Sequence, residues 1–448
     1  MWFYRRSRFW YWFARELSQK YTRALILGLG LGLLTSAILI WLYPRTIGYQ
    51  LRPTERIGLV GEFTPTTLPL SIQQQVSSGL TILDNRGLPA PALATRWEAT
   101  DSGKTFIFYL ARDQAWHSGK SVVAGDVNYN IKNVTFRAVD PHTLKASLLS
   151  PYGPFPTLVA KPIFQAGLRG FGPYRVAAIR LKGDKVQYLK LVPVRDPQAL
   201  VREYRFYRTE AQAIEAFKLG EVDILEDMSS PMALAKWGHT RATSSVKLNR
   251  IVSLFFNLND SLLKEKAFRQ ALAYALPPLS EERAFTPLSR ASWAYSEKVR
   301  RYDPDMTQAK KLLTASKIAT QSVELTISTF SQYIDVAQSI ATSWNNLGLK
   351  TKVKVENAVD RGFQILLTAQ DVPPDPDQYP FWHSTQTQTN ITGYANVKID
   401  KLLEDGRQEL DLEKRKKIYA DFQRYLVEDI PAIFLFYPKT YTLSRNPR

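Results

Sequence analysis

Apolar positions change their spacing along this chain, and each change predicts an element. The sharpest case is a run with no polar spacing at all. Residues 24–43 make 20 positions without a charge. At about 1.5 Å of rise per residue, a helix of that length reaches about 30 Å, the thickness of a bilayer's hydrocarbon core. Gly28, Gly30 and Gly32 weaken a helix in water, but in lipid the unpaired alternative is worse. Trp41 and Tyr43 stand at the far end, where amphipathic aromatics favour the interface.

After a polar linker at 44–56, the pattern alternates between the strand and helix periods. Thr105 to Leu110 is rich in β-formers and follows the turn-forming Asp101-Ser102-Gly103-Lys104, which predicts a hairpin over 94–111. A short helix is expected at 124–133. Ala211, Ile214 and Phe217 share a helix face with Thr209 as N-cap and Gly220 as stop, and Val222 to Leu225 follows as a strand. Residues 261–276 read as helix up to Pro277, and 306–315 as another. The clearest unit is 322–356: Val323, Leu325 and Ile327 alternate, Tyr333, Val336, Ile340, Trp344 and Leu347 recur at helical spacing, and Val353 and Val355 alternate again. That is strand, helix, strand with parallel strands. A buried strand at 363–368, two helices over 398–428 that break near 409–411, and a strand at 432–437 complete an α/β body.

Charge orients the apolar run. Residues 1–23 carry six cations against Glu16 alone, so the flank is +5 of the chain's formal +18. The positive-inside rule then puts the N-terminus in the cytoplasm and the body outside a cell membrane crossed once. The competing reading is a cleaved signal peptide. Its apolar region is usually shorter, roughly 7 to 15 residues, and ends on small residues, whereas this run ends on Ile38 to Tyr43, all bulky. The pattern favours an uncleaved signal-anchor. The remaining +13 is scattered over about 400 residues, without zinc-finger spacing or a basic helix, so nucleic acid is not the indicated partner. A basic surface near anionic lipid or wall polymer is the simpler reading.

Chemistry is sparse. The chain has no cysteine, which excludes disulfides and thiol catalysis. His117, His142, His239 and His383 lack metal-ligand spacing. No phosphate loop, dinucleotide fingerprint or nucleophile elbow follows a strand, so no cofactor is indicated. Asp371, Asp375 and Asp377 cluster as paired carboxylates of a hydrolase would. Asp375-Pro376-Asp377 reads more simply as a turn.

Local patterns recur in a telling order. Leu93 to Glu98 leads into Asp101-Ser102-Gly103-Lys104, and Trp116-His117-Ser118-Gly119-Lys120 is followed by Asp126. Then come Gly170-Phe171-Gly172-Pro173-Tyr174, Gly220-Glu221-Val222-Asp223-Ile224, Arg269 to Ala275, Tyr302-Asp303-Pro304 and Asp375-Pro376-Asp377. The series spans 80–437 and resembles the peptide- and nickel-binding class of extracellular solute-binding proteins, the receptors of ABC importers. The resemblance implies a two-lobed periplasmic-binding-protein-like (type II) fold with an inserted subdomain, and a binding protein rather than an enzyme. Carried onto this numbering, 57–80, 167–248 and 432–448 form the main lobe, 81–166 the insert, and 249–431 the second lobe, with hinge strands near 251–256 and 430–436. The implied partners are a peptide or other small solute, trapped as the lobes close, and an ABC permease. The family's amine-binding Asp precedes the D-P-D turn, and Asp371 is the nearest match, displaced by one extra residue in Val372-Pro373-Pro374. Asp375, Trp382, Asn390 and Tyr394 are the further candidates for the solute site. The alternative is a membrane-tethered sensor or surface protein that keeps the fold without an importer.

Overall fold

The computed structural model describes residues 11–13, 15, 16, 19–23, 26–28 and 30–38, and residues 53–445 apart from 197, 232, 319–322 and 360. The apolar segment is a 20-residue helix, Gln19–Ile38, with none of its surface buried against the rest of the chain. Helices of this kind also serve as signal sequences, so length and apolarity alone do not make a membrane span. Trp41, Tyr43 and most of the 44–56 linker lie outside the described residues.

Two mixed sheets organise the body. The first has seven strands in the spatial order Thr240–Val246, Lys439–Arg445, Ile224–Met228, Thr54–Val60, Val201–Tyr207, Lys185–Pro193, Tyr174–Lys182. Strand Thr54–Val60 runs parallel to both neighbours, and helix Glu210–Leu219 supplies the crossover between them. That helix starts and stops as its sequence dictates. Thr209 Oγ1 accepts from Gln212 N, and Gly220 takes a left-handed φ of 78°. Phe217 and Ala213 pack beneath it against Leu225 and Leu443.

The second sheet has six strands in the order Glu282–Arg283, Ala432–Tyr437, Arg250–Phe256, Ile365–Asp371, Glu324–Thr329, Lys350–Val355. Its edge is the predicted unit: Glu324–Thr329, helix Ile334–Asn346, then Lys350–Val355, with the strands parallel. Strand Ala432–Tyr437, and Arg250–Phe256 after its first residue, are buried on both faces, so they read as nearly continuous apolar runs broken only by Ser253. Phe256, Phe268, Trp344, Phe422 and Leu435 are fully buried in this largest core.

A separate four-stranded antiparallel sheet is inserted between strands of the first. Its order is Ala94–Thr100, Thr105–Leu110, Thr143–Leu148, Val134–Asp140. It has its own core of Phe106, Phe108 and Phe155. The small hairpin Thr81–Leu83/Pro89–Pro91 leads into it.

Two expectations need correction. The helix at 124–133 is only a 3-10 turn, Ala124–Asp126. Asp126 Oδ2 accepts from both Val123 N (3.1 Å) and Trp116 Nε1 (2.9 Å), and Asn130 and Asn133 adopt positive φ, so side-chain bonds replace helical ones. The span 432–448 also divides. Ala432–Tyr437 belongs to the second sheet and Lys439–Arg445 to the first, so the strands near 251–256 and 430–436 lie inside the second lobe. The chain crosses between sheets at 247–249 and again at Pro438. The crossings are adjacent: Lys247 N donates to Pro438 O at 2.9 Å.

Candidate functional site

Two neighbouring crossings connect the sheets, and adjacent connections of this kind can act as a hinge. Beside the crossings lies a cavity of about 440 Å³. It is lined by Ser245 to Asn249, by Val372-Pro373-Pro374, by Ser289, Ala291 and Ser292, and by the hairpin tip Leu83 to Gly87. A second cavity of about 500 Å³ shares Asn85, Arg86, Ala291 and Ser292, and extends towards Trp293 and Lys416. A further pocket at the outer edge of the first sheet, around Lys182 and Arg205, is remote from this junction. Domain junctions are where small-molecule sites favour forming.

The hairpin tip is held rigidly. Asp84 Oδ1 accepts from Arg86 N (2.8 Å) and Leu88 N (2.9 Å), which keeps the Asp84 carboxyl below the usual carboxylate range. Gly87 turns at φ +83°, and a Cβ there would lie 2.5 Å from Pro374 O. Trp293 N donates to Arg86 O at 3.1 Å, so backbone meets backbone across the cleft.

The inserted sheet touches the second lobe at another point. Gly153 N donates to Arg407 O at 2.6 Å. Arg407 Nε donates to Asp377 Oδ2 (3.0 Å), and Tyr152 Oη donates to the same oxygen (3.2 Å). The guanidinium lies 4.2 Å from the Tyr379 ring centre and 5.2 Å from that of Tyr152. Burial pushes the Asp377 carboxyl above its ordinary value, and Arg407 only partly offsets this.

The five expected site residues take different places. Asp371 is exposed at the end of its strand, one residue before the cavity wall, and its carboxylate is held by Arg250 Nε at 2.7 Å. Asp375 is buried and bidentate with Arg415, at 2.6 and 2.9 Å. Burial alone lowers the Arg415 pKa, but the Asp375 charge and hydrogen bonds outweigh it and raise the guanidinium above its ordinary value. Trp382 is 1% exposed, packs on Phe255 and Phe434, and donates to Gln378 Oε1. The Asn390 side-chain amide donates to Tyr394 O at 2.7 Å, and Tyr394 Oη donates to Asp429 Oδ2 at 2.8 Å. Asp375, Trp382, Asn390 and Tyr394 are thus satisfied within the second lobe, and none of the five lines the cavity. Their placement has a simple cause: a polar or aromatic residue near a turn supports that turn as readily as it meets a solute. The lining that sequence reading missed comes from four segments far apart in the chain. Only the Asp84-Asn85-Arg86-Gly87 turn carries a local signal. Among the described residues, no three His, Asp or Glu side chains gather as metal ligands.

Residues 89–391 match the model of the bacterial extracellular solute-binding proteins, family 5. The chain belongs to that family. As a family 5 solute-binding protein it is 22% identical to the probable D,D-dipeptide-binding periplasmic protein DdpA of Escherichia coli strain K12, over 79% of this chain and 80% of the relative. Its fold is similar to that of the substrate-binding protein CtaP of Listeria monocytogenes (TM-score 0.74, 22% identity, 88% of this chain and 94% of that one). It is equally similar to NikZ of Campylobacter jejuni, solved in complex with Ni(L-His) (TM-score 0.72, 23% identity, the same coverage). The two-lobed architecture is therefore that of the periplasmic binding proteins.

Proposed function

We propose that this family 5 protein is an extracytoplasmic receptor that takes a small peptide-like solute into the cleft beside residues 245–249 and presents it to an ABC permease. The observation that carries the reading is the cavity of about 440 Å³ at the junction of two sheets joined by two adjacent crossings. That volume suits a solute of dipeptide or tripeptide size, within the roughly 300–1,000 Å³ usual for ligand sites. Binding without turnover is the expected behaviour, with closure about 247–249 and Pro438. The solute contacts are assigned to Lys247, Asn249, Arg86 and Val372, with Asp371 at the edge.

The N-terminal helix holds the receptor at the membrane, with the basic 1–23 segment in the cytoplasm. Its support is the uncharged run at 24–43 and the exposed apolar side chains of Leu27, Leu31 and Leu34. The decisive experiment purifies the full chain from membranes and identifies co-purifying solutes by mass spectrometry. A solute that leaves on partial unfolding and restores thermal stability on return supports the reading. No solute, and no stabilisation by a peptide panel, refutes it. The tether is tested by alkaline carbonate extraction. Retention in the membrane pellet, lost in the L27R/L31R/L34R variant, is expected, and release of the unmodified chain refutes the anchor.

A further inference from the structure

The cleft contrasts with one built for an amino terminus. A peptide's α-ammonium needs a carboxylate free to receive it, because a desolvated cation without a partner is costly. Here the acids near the cleft are committed. Asp371 holds Arg250, Asp375 holds Arg415 and Asp377 holds Arg407, all at 3.0 Å or less. Asp84 Oδ1 is occupied by two backbone amides, and its Oδ2 lies 3.4 Å from the Arg86 guanidinium. Glu413, on the wall of the second cavity, sits one helical turn before Lys416, a charge of opposite sign on the same wall.

The cations are ion-paired too, but they differ in place. Lys247 and Arg290 line the two cavities, whereas the acids that pair with them, Asp227 (2.5 Å) and Glu282 (2.6 Å), lie outside the lining. Over both cavities, Arg86, Lys247, Arg290 and Lys416 stand against Asp84 and Glu413. The hydroxyls are compatible with that sign. Ser289 Oγ accepts from Ala291 N (3.1 Å) and Ser292 Oγ from Ala294 N (3.3 Å), and each keeps a proton that can be donated to a solute oxygen. Cations and hydroxyl donors at an apolar wall of Val372 and Pro373 are the complement of a carboxylate-bearing solute.

We infer that the solute of this cleft is anionic: a small molecule of dipeptide size that carries at least one carboxylate and needs no free amine. The inference rests on the reading of the cleft as the solute site. Lys247 and Arg290 supply the attracting charge, Ser289 and Ser292 the hydrogen bonds. Selection is against cationic peptides, since the lining cations outnumber the lining acids.

Three blocked dipeptides test this on the full-length chain in detergent micelles, by titration calorimetry and thermal shift. They are N-acetyl-Ala-Glu, Ala-Lys-amide and the neutral N-acetyl-Ala-Ala-amide. The acidic peptide is expected to bind at least about tenfold more tightly than the other two, and to weaken as salt rises. K247Q/R290Q is expected to lose about tenfold in affinity for it with an unchanged near-ultraviolet circular dichroism spectrum. Conversely, binding of Ala-Lys-amide or the neutral peptide as tight as that of the acidic one overturns the charge inference while leaving the solute cleft intact. Failure of all three to bind overturns the cleft reading itself.

Discussion

The Asp375–Arg415 pair separates a structural from a solute-binding role for the D-P-D turn. Both side chains are at most a tenth exposed, and they meet through two hydrogen bonds of 2.6 and 2.9 Å. Arg415 also donates through Nε to Gly406 O at 2.7 Å, which ties the turn after Ile365–Asp371 to helices Val397–Gln408 and Leu412–Asp429. Removing one partner leaves a buried charge uncompensated, which costs about 3–5 kcal/mol. D375N and R415M should each lower second-lobe stability by about that much. The double variant should cost less than their sum, by about 2–3 kcal/mol, because neither charge is then orphaned. Asn keeps an acceptor for Asp377 N, which Asp375 Oδ1 now receives at 3.0 Å, so the cycle isolates the ion pair. Guanidinium unfolding of the full chain, followed by tryptophan fluorescence, is the assay. Trp293 lies 5.4 Å from the Arg415 guanidinium and reports on this region directly. A D375N transition within about 0.5 kcal/mol of the unmodified protein, the range of ordinary surface changes, together with lost solute binding, would refute the structural assignment.

Three further changes probe other contacts. R407A removes the cation from Asp377 and the bridge to Tyr152; a loss of about 1–3 kcal/mol and a larger radius of gyration by X-ray scattering are expected, and unchanged scattering counts against a contact that holds the lobes together. Glu226 has its pKa raised by burial first and by Asp227 and Glu55 next, so its ionisation opposes folding: the favourable protonated state is kept below the ordinary glutamate range and lost as pH rises through the folded value. E226Q should therefore be the more stable protein at pH 7, with the advantage vanishing at acid pH, and superimposable pH profiles would contradict this. Gly170 packs against Val76 O so closely that a Cβ cannot fit; G170A should cost about 3 kcal/mol or more in unfolding free energy, and a near-neutral result would mean the turn shifts freely.

Periodicity made much of the body legible. Tyr333, Val336, Ile340 and Trp344 define a helix face without any partner being known, and Thr209 and Gly220 mark their helix from within four residues of its ends. The cleft was not legible in that way. Arg250 finds Asp371 across 121 positions and Arg407, on helix Val397–Gln408, meets Tyr152 beyond the inserted sheet, and no spacing rule encodes such pairs. The D-P-D turn drew notice for its clustered carboxylates and for its resemblance to the family's turn, yet the arginines that occupy these acids sit on other elements. Pro438 illustrates the same limit. A single residue between two β-rich runs looks like a minor break, and only the sheets reveal that it carries the chain from one lobe to the other.

The last strand has a consequence for biosynthesis. Lys439–Arg445 lies between Ile224–Met228 and Thr240–Val246, which do not pair with each other. Leu443 is fully buried in a core with Leu225 and Met228. Every described strand of the second lobe falls between residues 250 and 437, so that lobe has all its strands in the chain before Lys439–Arg445 is made. The main lobe, begun at Thr54, does not. It waits as an interrupted sheet until Lys439–Arg445 arrives, and losing that segment would remove an interior strand.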